Sequence, residues 1–499
     1  MSQKTYEALK AHARKYTLLQ STLGLLEWDQ ETYMPKKGIS LRSAQKELLT
    51  ALSHNMRKDP KFKENLSALI DLKTGKLTQN NLEAPQKAAL REWRRDLLQT
   101  EKQPDSLVSQ IAQVTSKATH VWSAARAKND FATFAPHLEE IVTLVRKQAD
   151  CLGYDDHPYD ALIDLYEPKM RVKHLDPIFE TLKKGLKPLV DGLKKAPDRS
   201  FFYGAVDEAK QDHLCRAILS EMGVDFDRAR LDLTSHPFCM GLSPSDLRLT
   251  MHRGSNNIVG NIMATLHEGG HGLYELGLPV EEYGTPLCQA ASFGIHESQS
   301  RLWETRIGLS RPFWTHTYPK LQSTFPDKFS NIDFETFYSG VIAAEPSLIR
   351  VHSDELTYSL HIIVRYEIEK GLLDGSLQVK DLPERFAHLM QEYVGITPKT
   401  HAEGAMQDIH WAAGLIGYFP SYALGNIYAA QIFNAFETEF PDWEVRVGNG
   451  HMHFVRDYLN QTIHAYGRQF APMDLIEKVT GSQLDVEPYI DHLTKRYGK

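Results

Sequence analysis

Five consecutive residues of this 499-residue chain, His267-Glu268-Gly269-Gly270-His271, have the types and spacing for metal-assisted hydrolysis. Residues four apart lie on one face of a helix, so both imidazoles can reach a single ion. The glutamate between them stands beside that ion, where it can take a proton from a bound water. The ion itself would acidify the water and polarise the carbonyl to be attacked. The pattern alone is only moderately specific. With 22 histidines in the chain, chance alone gives H-E-x-x-H in roughly one such sequence in twenty. Two adjacent glycines also cost the helix about 2 kcal/mol relative to alanine. They are easier to understand if a neighbouring backbone or a substrate lies close to them.

A third ligand would decide between a metal helix and a helix with two ordinary histidines. A His-x-x-Gly-x-x-His continuation is absent, because Leu273-Tyr274-Glu275-Leu276-Gly277 follows instead. That excludes the metzincin pattern. Glu275 lies one turn further along the same helix, too far along the axis to close a tetrahedron. The segment FGIHESQSRLWETR offers Glu297, on the next predicted helix, and Glu304 two turns later as a reserve.

The elements that must position these residues are mostly helices. Tyr6, Leu9, Ala13, Tyr16 and Leu19 recur at three- and four-residue steps, and Leu138, Ile141, Leu144 and Val145 do so later. Charged stretches such as REWRRDLLQTEKQ read as solvated helix faces. The period changes once. In DLRLTMHR, Leu247, Leu249 and Met251 alternate with Asp246, Arg248 and Thr250, and LDLT at 231–234 alternates similarly. A small sheet is therefore predicted just before the HEGGH helix. No linker, repeat or composition break divides the chain, which predicts one unit over residues 1–499.

Bulk properties exclude some classes. A net charge of −7 argues against a nucleic-acid partner. Cys151, Cys215, Cys239 and Cys288 are far apart with no C-x-x-C pair, so they read as scattered thiols in a reducing compartment. The start, MSQKTYEALKAHARKY, has no apolar core of a secretory signal, which makes a cytoplasmic setting the expectation. Trp411–Phe436 has no charged residue, but its three glycines, its proline and its amides favour a buried loop and helix over a membrane span.

Taken together, the motifs resemble those of the carboxypeptidase Taq family of metallocarboxypeptidases over essentially the whole chain. They occur in order: His236-Pro237-Phe238, Asp246-Leu247-Arg248-Leu249-Thr250, HEGGH at 267–271, His296-Glu297-Ser298-Gln299, Ile349-Arg350-Val351-His352-Ser353-Asp354, and Gly404-Ala405-Met406-Gln407-Asp408-Ile409-His410-Trp411. EWDQETYMP near residue 30 and YDALIDLYEP near 160 are also similar to family segments. Ser353 departs from the alanine usual there. The resemblance implies a mainly α, gluzincin-like fold. It would have a deep central groove, a small antiparallel sheet beside the zinc helix and N-terminal helices covering the groove. It further implies a homodimer, Zn2+ replaceable by Co2+, and removal of single residues from peptide C-termini with broad specificity. Glu297 becomes the expected third ligand and Glu268 the general base.

Recognition of a free C-terminus needs a cation, and the planar fork of arginine pairs two carboxylate oxygens at once. Within the resemblance Arg350 takes that role, with Asp354 one turn away to orient it. Outside the resemblance, a surface ion pair within one helix would be the simpler reading. A donor for the developing oxyanion is expected from His410, Tyr418 or Tyr422, unless these are core aromatics with satisfied polar ends. Arg248 and His236 either touch substrate or stabilise the sheet, and Gln407 and Asp408 are expected behind the site.

Two alternatives stand beside a carboxypeptidase. A zinc oligopeptidase or endopeptidase would share the metal helix. A non-catalytic peptide-binding helical protein would lose Glu268 or a ligand, and all four residues are present. Aminopeptidase action is disfavoured. The Gly-x-Met-Glu-Asn motif of such enzymes has its nearest counterpart in Gly404-Ala405-Met406-Gln407, after the zinc helix and with a neutral glutamine.

Overall fold

The apolar steps at Tyr6, Leu9 and Ala13 are buried along one face of a long first helix, Ser2–Thr32. In the computed structural model, which describes residues 2–79, 81–234, 237–252 and 256–498, this helix turns back as Ile39–Arg57. Ion pairs Arg42–Asp29 and Lys46–Glu27 hold the hairpin together. With Pro60–Ser67 and Ala84–Lys102 it encloses a small core around Leu9, Leu66, Ile70, Leu90 and Trp93. A second and much larger core is built from helices later in the chain. Phe131–Leu152 illustrates why they form. Asp130 caps its start through Thr133 N at 3.1 Å, and Leu138, Ile141, Leu144 and Val145 are buried on one side.

The sheet lies where the period-two segments predict it, but it is mixed rather than antiparallel. Its strands are β1 (Ala229–Thr234), β2 (Cys239–Ser243) and β3 (Asp246–His252), in the order β1-β3-β2. β2 and β3 form an antiparallel hairpin, while β1 and β3 run parallel. The chain reverses twice between β1 and β3, so the hairpin lays β3 alongside β1 in the same direction. Leu247, Leu249 and Met251 are buried, as the alternation requires. The polar face receives the first helix. Trp28 lies under both Arg230 and Arg248, whose guanidinium carbons are 4.8 and 4.6 Å from its ring, and Tyr33 donates to Asp232 at 2.5 Å. EWDQETYMP is thus the anchor of the N-terminal hairpin on the sheet.

The apolar face of the sheet packs on the helix Ile258–Gly277, which carries HEGGH and is capped by Asn257 through Gly260 N at 2.8 Å. The helix Phe293–Arg301, bearing Glu297, crosses this one, and Pro420–Glu439 backs it. The uncharged stretch 411–436 forms turns and then most of that last helix, buried on nearly every side. No helix among the described residues is long and apolar enough to cross a membrane.

Candidate functional site

The two glycines of HEGGH are places of close approach. A Cβ on Gly270 would lie 2.6 Å from the carbonyl oxygen of Gln299 and 2.7 Å from Ser300 Cα. Bare backbone there lets the Glu297 helix cross the HEGGH helix in direct contact. On its other side, a Cβ on Gly425 would lie 2.5 Å from Glu297 Cγ. The start of the Glu297 helix is fixed by Ser292, which caps Ile295 N, and by the buried carboxylate of Glu167. Glu167 accepts from Ser292 Oγ, Gly294 N and Tyr428 OH at 2.9–3.0 Å.

This packing brings His267, His271 and Glu297 together, with ligand atoms all within 4.8 Å of one another. Glu297 Oε2 is 3.7 Å from His267 Nε2 and 3.4 Å from His271 Nε2. The other ring nitrogens are held from behind. His267 Nδ1 bonds Glu304 at 2.8 Å, and Arg301 pairs with the same carboxylate at 2.7 Å. His271 Nδ1 meets the carbonyl of His296 at 3.1 Å and its Nδ1 at 2.6 Å, and His296 Nε2 reaches Glu275 at 2.8 Å. Both Nε2 atoms are therefore left to face Glu297, as a metal requires of its histidines. Glu304, the sequence's reserve ligand, stands behind His267, on the π-helical turn Leu302–Gly308 that widens the helix there.

Charge follows this geometry. Burial alone would lower the His267 imidazole, but the carboxylates of Glu297 and Glu304 hold it up at about 9. Burial would raise Glu297, yet the two histidines keep it well below the usual carboxylate range. Burial pushes Glu268 up to about 7, against His267 and with the neighbouring charge of Glu297. A carboxyl near 7 suits a group that takes and returns a proton at neutral pH.

Arg350 lies on a short 3-10 turn, Arg350–His352, so Asp354 is not stacked one turn above it. Asp354 instead accepts the backbone N–H groups of Glu345, Leu356 and Thr357. The partner of Arg350 is Asp408, which accepts from its Nε at 3.0 Å and Nη2 at 2.9 Å, while Nη1 donates to Tyr358 OH at 3.0 Å. Among the described residues three of its five N–H groups are used, leaving one on each terminal nitrogen. The same Asp408 binds Arg365 Nε at 2.7 Å, and Gln407 accepts from the backbone N–H of Arg350. The two residues expected behind the site thus support the arginine. Tyr422 has its ring 5.0 Å from the Arg350 guanidinium and its hydroxyl 3.2 Å from His410 Nε2, and Tyr418 packs beside both. Burial, with Arg350 nearby, pulls His410 down to about 4, so it is neutral at pH 7, and its Nδ1 is buried without a partner among the described residues.

One sequence candidate stands apart from this group. Arg248 closes on Asp246 at 2.6 and 3.0 Å and covers Trp28. His236 lies outside the described residues. Conversely, Tyr358, Arg365 and Glu369 escaped the sequence reading. They lie at steps of seven and four on the helix Tyr358–Asp374, which brings them to one face, but Ser359, His361, Glu367 and Lys370 on the same helix hide that spacing in the sequence.

The sequence pattern of the carboxypeptidase Taq (M32) metallopeptidases matches residues 8–497. The chain belongs to that family. It is accordingly a metallocarboxypeptidase, a peptide hydrolase. It is 40% identical to thermostable carboxypeptidase 1 of Thermus thermophilus, with 99% of this chain and 98% of that protein covered. It is 38% identical to carboxypeptidase 1 of Bacillus subtilis, with 95% and 94% covered. Among solved structures, the M32 carboxypeptidase of Deinococcus radiodurans superposes with a TM-score of 0.95 at 31% identity, with 99% of each chain covered. The family's mainly helical fold with a small three-stranded sheet is the fold found here.

Proposed function

We propose that this member of the M32 family releases single residues from the C-termini of peptides, with broad side-chain preference, using one zinc ion held by His267, His271 and Glu297. The observation that carries the metal site is the convergence of two imidazole Nε2 atoms on Glu297 Oε2, each ring held at its other nitrogen. Two imidazoles and a carboxylate suit zinc, whose binding would displace the proton that Glu297 and Glu304 favour on His267, and cobalt accepts the same set. Bound there, the ion supplies Lewis acidity, polarising the scissile carbonyl and acidifying a water. Glu268 takes the water's proton and gives it to the departing amine. Arg350, with its two remaining N–H groups, binds the C-terminal carboxylate. The donor for the oxyanion comes from Tyr418, Tyr422 or the neutral His410. Arg248 serves the sheet and the N-terminal hairpin.

The same reading covers the finer assignments. The chain acts as a single catalytic unit over residues 1–499, its N-terminal helices covering the groove. Four unpaired cysteines support a reducing, cytoplasmic setting. A homodimer is supported by Leu18 and Leu25 on one helix of the N-terminal hairpin and Leu41, Leu48 and Leu52 on the other. All five are 38–68% exposed at helix-packing steps.

The test is hydrolysis of N-acylated peptides with free or amidated C-termini, by metal-loaded protein, with and without chelator. Release of only the last residue, from free C-termini only, is the expected result. Cleavage of amidated peptides would move the answer to an endopeptidase. Glu268→Gln should lower kcat by roughly 10³-fold while binding metal normally. Full activity in that variant would remove Glu268 from the mechanism.

A further inference from the structure

Glu369 is fully buried on the helix Tyr358–Asp374 and carries no role in the mechanism above. Its carboxylate accepts from three donors on two segments. Oε1 takes the Trp411 indole N–H at 2.8 Å, and Oε2 takes the backbone N–H of Gly417 at 2.9 Å and the hydroxyl of Tyr159. Trp411 directly follows His410, and Gly417 directly precedes Tyr418. One side chain therefore clamps both ends of the loop that presents these two candidate donors.

The loop has little other freedom. Gly417 has φ +94°, and a Cβ there would lie 2.8 Å from the backbone of Leu162. The Tyr418 ring stands edge-on to Tyr166, 5.1 Å between centroids. Tyr159, Leu162 and Tyr166 all belong to YDALIDLYEP, the segment whose glutamate, Glu167, also fixes the start of the Glu297 helix. Along its own helix, Glu369 continues the stripe begun by Tyr358, on Arg350, and Arg365, on Asp408.

We propose that Glu369 is a positioning residue, setting the place of His410 and Tyr418 relative to Arg350 and the metal ligands. It acts through Trp411 and Gly417 and touches no substrate atom. The proposal rests on the reading of His410 and Tyr418 as candidates for the oxyanion donor, so its test carries a readout independent of turnover.

Three variants separate positioning from general support: Glu369→Gln, which replaces one acceptor oxygen by a donor; Trp411→Phe, which removes a bond to the loop; and Tyr159→Phe, which removes a bond to the same carboxylate but not to the loop. Protein labelled with fluorotryptophan gives a fluorine signal for Trp411, identified by its loss in Trp411→Phe. Glu369→Gln should shift that signal and lower kcat at least 10-fold, with KM and metal affinity within threefold of the parent. Trp411→Phe should lower kcat similarly, and Tyr159→Phe should leave both the signal and kcat near the parent values. Should Glu369→Gln be poorly folded, Trp411→Phe against Tyr159→Phe decides the question. An unmoved fluorine signal in Glu369→Gln, or equal losses of kcat in Tyr159→Phe and Trp411→Phe, would overturn the proposal. If the parent protein released no C-terminal residue, the functional reading would fail separately, and the fluorine signal would still decide whether Glu369 places the loop.

Discussion

The two halves of the site are built by different means. The metal half rests on two crossing helices, and its geometry follows from spacing on one helix plus a glycine that lets the other approach. The half around Arg350, which we propose as the carboxylate-binding half, rests on turns, and its geometry follows from a chain of buried charges in which Asp408 holds Arg350 and Arg365. Helix crossings are set by packing and tolerate a lost hydrogen bond. A buried ionic chain fails when one partner goes, because the remaining charge is left unpaired. Tyr358 joins the halves, with its hydroxyl on Arg350 and its ring face under Arg301, which in turn pairs with Glu304 behind His267.

The strongest test of that division is Arg350→Lys. The charge stays, but the fork that meets Asp408, Tyr358 and a substrate carboxylate at once is lost. We expect kcat/KM on free C-terminal peptides to fall about 100-fold, in line with the loss of roughly 2–3 kcal/mol of charge-assisted bonding. Metal affinity, read by titration of the apoprotein, should stay within about twofold. A matching loss of metal affinity would show that the Tyr358–Arg301 link makes the halves one unit.

The contrast also explains what was legible in the sequence. The grouping of His267 and His271 was readable because a helix converts spacing into proximity without help from the rest of the chain. Glu297 needed the family resemblance, since 26 residues and a loop separate it from His271 and nothing local sets the return path. The strands β1 and β3 were visible by their period of two, whereas β2 (CMGLS) shows no such alternation, and the parallel pairing of β1 with β3 is a tertiary choice. Asp354 was expected at Arg350 because a helix was assumed there. The chain makes one tight turn instead, and a carboxylate 58 residues away takes the place. Glu167, Arg365 and Glu369 were missed because a buried charge shows itself only through partners that folding brings.

A smaller effect is expected from Gly270→Ala, which should strike the metal half alone. The added methyl meets the backbone of Gln299 and Ser300, which cannot rotate away. The helices must part slightly, carrying Glu297 from the histidines. Overpacking of this kind costs about 1–3 kcal/mol, and metal affinity should weaken roughly 10-fold, while KM of the metal-saturated enzyme changes little. Gly269→Ala is the control. Its methyl would meet the ends of Leu219 and Met222, flexible side chains that can shift, so its effect on metal affinity should be smaller. Equal effects at the two glycines would mean that helix propensity, rather than the crossing, explains both.

The smallest effect separates the backbone of the Arg350 turn from its ionic partners. The hydroxyl of Ser353 donates to the carbonyl of Arg350 at 2.6 Å. That carbonyl also accepts the backbone N–H of Ser353 at 3.1 Å, so removing the hydroxyl leaves it satisfied. Ser353→Ala should therefore cost no more than about 1 kcal/mol of stability and change kcat/KM less than about twofold, because Asp408 and Tyr358 fix the guanidinium directly. A loss beyond fivefold, measured on the same free C-terminal peptide, would place control of Arg350 in the turn itself. The carboxylate-binding half would then depend on local backbone geometry, as the metal half does, and the contrast between them would shrink to the identity of the side chains.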